Sequence, residues 1–214
     1  MIFSAQMRSV LQGFSALPAA ERFHVWARAF SCPMEAVAAQ IPSGKVLEVG
    51  CGHGLFSALL AQDPQRQVKG IDPDPRKIAL AGTLATRPGL SFALGSIEEE
   101  PERDFDAIAI LDVLYLVPRE QWPGFLRACA DRLSPRGRLV VKEVGTEPKW
   151  KHRKAYLQEV VMVRALGRTH GSAIEIAPAK FTADLLTGLG FRVAVTDVSK
   201  GYTTPHVMFV ATRG

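Results

Sequence analysis

Apolar and polar positions along this chain follow two periods, and the change from one to the other falls at residue 45. Upstream, residues 18–30 place Phe23, Trp26 and Phe30 three and four residues apart, the spacing of one face of an amphipathic helix. A second short helix is predicted after Cys32-Pro33 and is closed by Pro42-Ser43-Gly44. Residues 1–44 therefore read as an N-terminal helical cap. From Lys45 onward, short apolar runs alternate with helical stretches. Strands are predicted at 45–49, 67–71, 90–94, 105–111 and 138–144, with helices at 55–62, 76–86 and 119–133 and a turn at Ser134-Pro135-Arg136-Gly137. The run 105–111 is apolar except for Asp106, which marks a central strand buried on both faces.

This β-α-β-α order over residues 45–144 predicts an α/β fold, with a parallel sheet between two layers of helices. After the fifth strand comes an excess of about thirty residues before the next clear helix at 178–189, more than a simple connection needs. Its middle, 150–166, has a helical pattern, so residues 145–177 read as an inserted helical cap. Residues 178–214 form the final unit. Its two strands, 191–198 and 206–212, have no helix between them, which requires an antiparallel pair at the end of the sheet.

Composition narrows this picture without redirecting it. With 214 residues, 47% hydrophobic and 22% charged, the chain suits one globular domain. No stretch approaches the roughly 18 uninterrupted apolar residues of a membrane span. Gln6, Arg8, Gln12 and Gly13 interrupt the N-terminus where a signal peptide would need a clean apolar core. Cys32, Cys51 and Cys129 are scattered and odd in number, which argues against a disulfide framework and a zinc site and fits a cytoplasmic chain. The net charge is +5, and its local concentration matters more than its total: Lys149, Lys151, His152, Arg153 and Lys154 surround Trp150.

Candidate chemistry begins at Gly50-Cys51-Gly52-His53-Gly54, a glycine loop between a strand and a helix. Glycines allow a sharp turn and close ligand approach, and the helix start offers free N–H groups. A tight turn alone would look the same. Asp72, however, ends the next strand 22 residues after Gly50 (72 − 50), where its carboxylate can accept hydrogen bonds from two ribose hydroxyls. Asp74 is expected to cap the helix that Pro75 begins. The third glycine follows the second by two residues and not three, which disfavours a dinucleotide and leaves an adenosine-type ligand.

Val46-Leu47-Glu48-Val49-Gly50-Cys51-Gly52-His53-Gly54 resembles the first motif of class I S-adenosylmethionine-dependent methyltransferases. The resemblance extends over residues 45–212. Gly70-Ile71-Asp72, followed by Pro73, resembles the ribose-binding motif; Gly95-Ser96-Ile97-Glu98 resembles the segment flanking adenine, with Ser96 where relatives often carry an acid. Residues 105–115 resemble the fourth strand and its exit, where Leu111 and Asp112 border the methionine part of the cofactor. The resemblance implies a three-layer, Rossmann-like, seven-stranded, mainly parallel sheet with a C-terminal antiparallel hairpin. It also implies S-adenosyl-L-methionine as cofactor, held by Glu48, Gly50, Cys51, Gly52, Gly54, Asp72, Pro73, Ser96, Ile97, Leu111 and Asp112.

The acceptor is less constrained. Methyl transfer is an in-line displacement, so alignment and desolvation do most of the work, and a base helps only where the acceptor holds a proton of high pKa. No Asn-Pro-Pro-Tyr-type segment follows the fourth strand, which points away from planar nitrogen acceptors. Tyr115, Asp112, Lys142, Glu143, His152, Tyr156 and His170 could supply a base; His152, Tyr115 and Glu143 are the catalytic candidates. Each also has a structural reading: tyrosine as wall, lysine as ion pair, histidine as surface residue. The expected reaction is O- or C-methylation of a small-molecule or lipid-like acceptor. The 149–154 cluster is either a solvated helix start or a rim for an anionic substrate or acidic membrane. RNA is a weaker alternative because aromatics interleaved with basic residues are sparse elsewhere. Aminopropyl transfer and a non-enzymatic cofactor-binding subunit are the remaining alternatives.

Overall fold

A computed structural model describes residues 3–84, 87–146 and 176–213 of the chain. Three helices lead: α1 (Ala5–Gly13), α2 (Ala19–Ser31) and α3 (Met34–Ala38). The alternating region follows as β1 (Gly44–Val49), α4 (Leu55–Leu60), β2 (Arg66–Asp72), α5 (Pro75–Gly82), β3 (Leu90–Leu94) and β4 (Phe105–Leu111). Then come α6 (Trp122–Ala130), β5 (Leu133–Val144), α7 (Ala179–Gly188), β6 (Phe191–Asp197) and β7 (His206–Arg213).

The seven strands form one sheet in the order β3-β2-β1-β4-β5-β7-β6. Strands β1 to β5 pair in parallel, and β7 runs antiparallel to both β5 and β6. Strand order reverses beside β1, with β2 on one side and β4 on the other. This leaves a crevice at the carboxyl ends of β1 and β4, the place where open α/β sheets take ligands. Strand β4 is buried almost throughout, as a central parallel strand covered on both faces must be.

One face of the sheet packs on the N-terminal helices through Met7, Val10, Phe14, Val25 and Val37, and on α4 through Phe56, Leu59 and Leu60. The other face packs on α6 and α7 through Trp122, Leu126, Cys129 and Leu186. The N-terminal helices are thus part of the core. Their local signals are also realised: the Ser4 hydroxyl accepts from the Met7 amide at 3.1 Å to cap α1. Asp74 likewise accepts from the Arg76 amide at 2.9 Å, with Pro75 in the first turn of α5.

Two features depart from the sequence pattern. The face of α2 carrying Phe23, Trp26 and Phe30 points outward, these residues being 71%, 49% and 40% exposed, while Val25 and Ala29 face the core. Small side chains let the helix lie close to the sheet, and the Trp26 and Phe30 rings are left to pack on each other and on Phe3. Strand β5 begins at Leu133, and not at Arg138, because the segment expected to turn continues along β4 past a register shift between Phe105 and Ala107. Gly137 makes that possible: a Cβ there would lie 2.6 Å from the Phe105 carbonyl oxygen. The helix predicted over 119–133 is correspondingly shorter, with a 3₁₀ turn at Arg119–Gln121 ahead of α6.

Candidate active site at the switch-point crevice

The glycine loop leaves β1 and is tied to the neighbouring strand, the Gly50 and Cys51 amides both donating to the Ile71 carbonyl at 2.8 and 2.9 Å. Its three glycines have positive φ but differ in what surrounds them. A Cβ on Gly50 would lie 2.5 Å from Val113, and one on Gly54 would lie 2.5 Å from Phe92. Around Gly52 there is open space, with nothing within 4 Å. Two glycines are therefore needed to close the turn, and the middle one borders the space a ligand can fill.

Asp72 faces that space from the end of β2. It is 5% exposed, and its Oδ2 accepts from the Gly52 amide at 2.8 Å while Oδ1 accepts from the Asp74 amide at 2.9 Å. Each oxygen retains a further acceptor position, which suits paired hydroxyls. Pro73 is exposed beside it. The bend after β3 comes alongside through the Gly95 amide, which donates to the Asp72 carbonyl at 3.2 Å. At that bend Ser96 is partly exposed and Leu94 is 59% exposed. Ile97, expected to pack against a ring, is fully buried in the core on the α6 side and offers no open surface.

Behind the loop, Glu48 is buried and accepts a hydrogen bond from the Ser57 hydroxyl on α4. Burial pushes its carboxyl up to about 7, although the Ser57 bond partly offsets this. Leu111 and Cys51 are buried in the walls of the crevice.

Across the crevice, Asp112 follows the last residue of β4, with φ +58° and 7% exposure. Lys142 of β5, wholly buried, reaches both its oxygens at 2.7 and 2.8 Å. Arg28 of α2 adds a third contact, Nη1 to Oδ2 at 2.8 Å. Burial alone would raise the Asp112 pKa; the two cations outweigh it and hold the carboxyl well below its ordinary range. Lys142 is thus the buried ion pair that its structural reading anticipated.

The adjacent Glu143 points to the other face of the sheet. It accepts from the Val113 and Leu114 amides at 3.1 and 3.0 Å, pinning the turn after β4. Burial, with the charge of Asp112, pushes its carboxyl up to about 8. Its two amide hydrogen bonds make it an anchor for that turn. Glu143 lines a small cavity with Tyr115, Trp122, Thr182, Val207 and Phe209.

Helix α2 joins the two sides of the crevice. Glu21 meets His53 of the glycine loop at 2.7 Å, and one helical stretch later Arg28 meets Asp112. His24 lies beside His53, the ring centroids 5.1 Å apart and the planes tilted by 47°. At the start of β7, buried His206 has its Nε2 2.8 Å from the Thr204 hydroxyl. Burial, and then the nearby Lys142 charge, lower its pKa to about 3.

The folded chain brings Glu48, the glycine loop, Asp72, Ser96, Leu111 and Asp112 to one edge of the sheet. It separates Glu143 and Tyr115 from Lys142. The candidates His152, Tyr156 and His170 and the 149–154 cluster lie outside the described residues. Arg28, Glu21, His53, Ser57 and His206 were not singled out in the sequence. Arg28 and Glu21 lie on the side of α2 away from its aromatic rings, a signal easily passed over as the solvated face. Among the described residues no group of three or more His, Cys, Asp or Glu is placed to hold a metal ion.

Comparison with known proteins supplies the family and matches the fold. The family model of the methyltransferase domain matches residues 19–194. The chain is 31% identical over 196 residues to a trans-aconitate 2-methyltransferase of Deinococcus radiodurans, covering 85% of this chain and 72% of the relative. It is also 31% identical over 178 residues to a ubiquinone biosynthesis O-methyltransferase of Xanthomonas campestris, covering 78% of this chain and 70% of the relative. The fold matches a solved SAM-dependent methyltransferase of Aquifex aeolicus with a TM-score of 0.64 at 16% identity, covering all of both chains. It also matches magnesium protoporphyrin IX methyltransferase of Synechocystis with bound S-adenosylhomocysteine, with a TM-score of 0.66 at 20% identity over 98% of this chain and 100% of that one.

Proposed function

This chain belongs to the family of methyltransferase domains as a class I, S-adenosylmethionine-dependent enzyme, and from that premise we propose that it methylates a small or lipid-like acceptor at oxygen or carbon. The observation that carries the site assignment is the asymmetry of the glycine loop: Gly50 and Gly54 are packed shut while Gly52 borders open space facing Asp72. When bound, the cofactor supplies an electrophilic methyl group on a sulfonium sulfur.

Around it, Asp72 would accept from the ribose hydroxyls, and Pro73 and Ser96 would border the nucleoside. Gly50, Cys51 and Gly52 would present backbone to the ligand, with Gly54 closing the turn and Ile97 backing the adenine side from within the core. Leu111 and Asp112 would flank the methionine end, and Glu48 would support the loop from behind through Ser57. The residues on the acceptor side act by orienting and excluding water. Glu143 holds the turn after β4 in place through the Val113 and Leu114 amides, and Tyr115 walls the cavity they share. His152 remains the proposed base where the acceptor carries a proton; alanine there should lower turnover for such an acceptor, and full activity would refute that role.

The acceptor class draws on the likeness to a trans-aconitate and a ubiquinone-pathway enzyme, both of which methylate small molecules by name. The 149–154 cluster is proposed to contact an acidic bilayer, its basic residues surrounding Trp150 being the feature that supports this. Vesicles rich in acidic lipid should retain the protein at low salt, and no retention would rule the contact out.

Titration with S-adenosylhomocysteine tests the pocket, and transfer of labelled methyl into lipid, small-molecule, protein and RNA fractions of an extract tests the acceptor. Failure of the folded protein to bind, or label found in RNA alone, would overturn the respective assignment.

A further inference from the structure

The outward side of α2 is more apolar than its packing requires. Phe23, Trp26 and Phe30 follow one another at three- and four-residue spacing, so they form one row along the helix, and all three are exposed. Phe3 extends the row, its ring 5.5 Å from that of Trp26 and 4.6 Å from that of Phe30. The core does not need these rings, because Val25 and Ala29 fill the inner side of the same helix. Scattered apolar residues are ordinary on a protein surface, but a contiguous aromatic row marks a surface that something covers.

The charge around the row has one sign. Arg22 stands next to Phe23 at one end and Arg8 meets Phe3 at the other, both exposed. Each guanidinium is held by a backbone carbonyl, Arg22 by that of Ser15 and Arg8 by that of Phe3. Among the described residues neither has a carboxylate partner. The acidic side chains of residues 1–40 are Glu21, which is paired with His53 of the glycine loop, and Glu35 of α3. Rings flanked by unpaired cations complement an acidic lipid surface: the rings sit at the depth of the headgroups and the cations meet phosphates. Because the rings project from a helix, a deformable headgroup layer can take them without offering a matching groove.

We propose that the face of α2 carrying Phe23, Trp26 and Phe30, with Arg8 and Arg22 at its ends, is a peripheral docking surface for an acidic bilayer. No helix of the described residues is long and apolar enough to cross a membrane, so the contact is with the headgroup region. This surface is separate in sequence from the 149–154 cluster and does not depend on it. The inner side of α2 is tied to the crevice, Glu21 to His53 and Arg28 to Asp112, so docking holds the site beside the bilayer. That a lipid-like acceptor is met there rests on the proposed acceptor class.

The test is flotation of the full chain at low salt with vesicles of phosphatidylcholine, alone or mixed equally with phosphatidylglycerol. It compares wild type, Phe23→Ser, the triple variant Phe23→Ser/Trp26→Ser/Phe30→Ser, and Arg8→Gln/Arg22→Gln, with circular dichroism and thermal melts to establish folding. Partitioning onto the acidic vesicles should fall about threefold in Phe23→Ser and about tenfold or more in the triple variant and in the arginine pair. Phe23 is the most exposed of the three rings, so its single variant decides the matter if the triple variant misfolds. An environment-sensitive dye on Phe23→Cys should shift to the blue on acidic vesicles. The same dye on Lys180→Cys, on α7 across the sheet, should not; the native cysteines are buried. Unchanged partitioning of Phe23→Ser and the triple variant, an unshifted dye at position 23, or no flotation of wild type overturns the proposal. A dimer in sedimentation that Phe23→Ser dissolves, without flotation, would assign the face to a second copy of the chain and overturn it too. No arm measures cofactor binding or methyl transfer, so failure here leaves the methyltransferase reading standing, and failure of S-adenosylhomocysteine to bind leaves the docking result standing.

Discussion

His206 ties the pH dependence of stability to one side chain. It opens β7 at 4% exposure, facing Lys142 of β5, Asp112 beyond β4, Arg28 and Ser31 of α2, and Tyr202 and Thr204 of the preceding loop. Its pKa falls from 6.5 to about 3, burial being the larger cause and the Lys142 charge the next. A depressed histidine stabilises the fold fully above its unfolded pKa and loses that contribution as pH falls toward its folded value. Between pH 7.5 and 5.0 the unfolded chain gains a proton at this position that the folded chain refuses. The difference spans about 1.5 pH units, or about 2 kcal/mol.

Two buried carboxyls act in the opposite sense. Glu48 and Glu143, raised to about 7 and about 8, contribute stability below their unfolded pKa and lose it as pH rises through those values. The wild-type curve alone therefore mixes both signs, and the useful quantity is its difference from His206→Gln, which keeps polar contacts for Thr204 without titrating. Urea unfolding of both proteins at pH 7.5, 6.5 and 5.0 should show the wild type losing about 2 kcal/mol relative to the variant over that range. A difference that stays flat within about 0.5 kcal/mol, or one that grows in the variant's disfavour, would refute the reasoning.

Other consequences can be checked separately. Lys142→Met leaves Asp112 buried with Arg28 as its remaining partner and should cost about 3 kcal/mol in urea unfolding at pH 7, whereas a loss below about 1 kcal/mol would mean the pair is not desolvated. Gly52→Ala meets no neighbour and should cost only about 1 kcal/mol from its positive φ while weakening S-adenosylhomocysteine at least tenfold in titration. Gly54→Ala, driven into Phe92, should lose several kcal/mol of stability in urea unfolding; equal stability of the two variants would contradict the geometry. Phe23→Ser, on the exposed face of α2, should leave the unfolding free energy in urea within about 0.5 kcal/mol of wild type.

The sequence itself determined what depends on local rules. Alternating apolar runs marked the order of strands and helices over residues 45–144, though not the start of β5, and two successive strands at the end required the antiparallel pair. The glycine spacing and Asp72 marked the nucleoside side of the site because a turn and a strand end lie close together in the chain, so their chemistry is legible from spacing. Tertiary structure decided the rest. Helical periodicity shows that Phe23, Trp26 and Phe30 share a face, but a period is silent about which face meets the sheet, and here the smaller one does. Likewise Glu143 and Lys142 are neighbours in sequence yet, by the alternation of a strand, serve opposite faces of the sheet. Arg28 reaches Asp112 across 84 positions, and His53 reaches Glu21 across 32. Such contacts, and the shifted protonation of Glu48, Glu143 and His206, arise from burial and from charges brought together by folding; neither quantity exists in the extended chain.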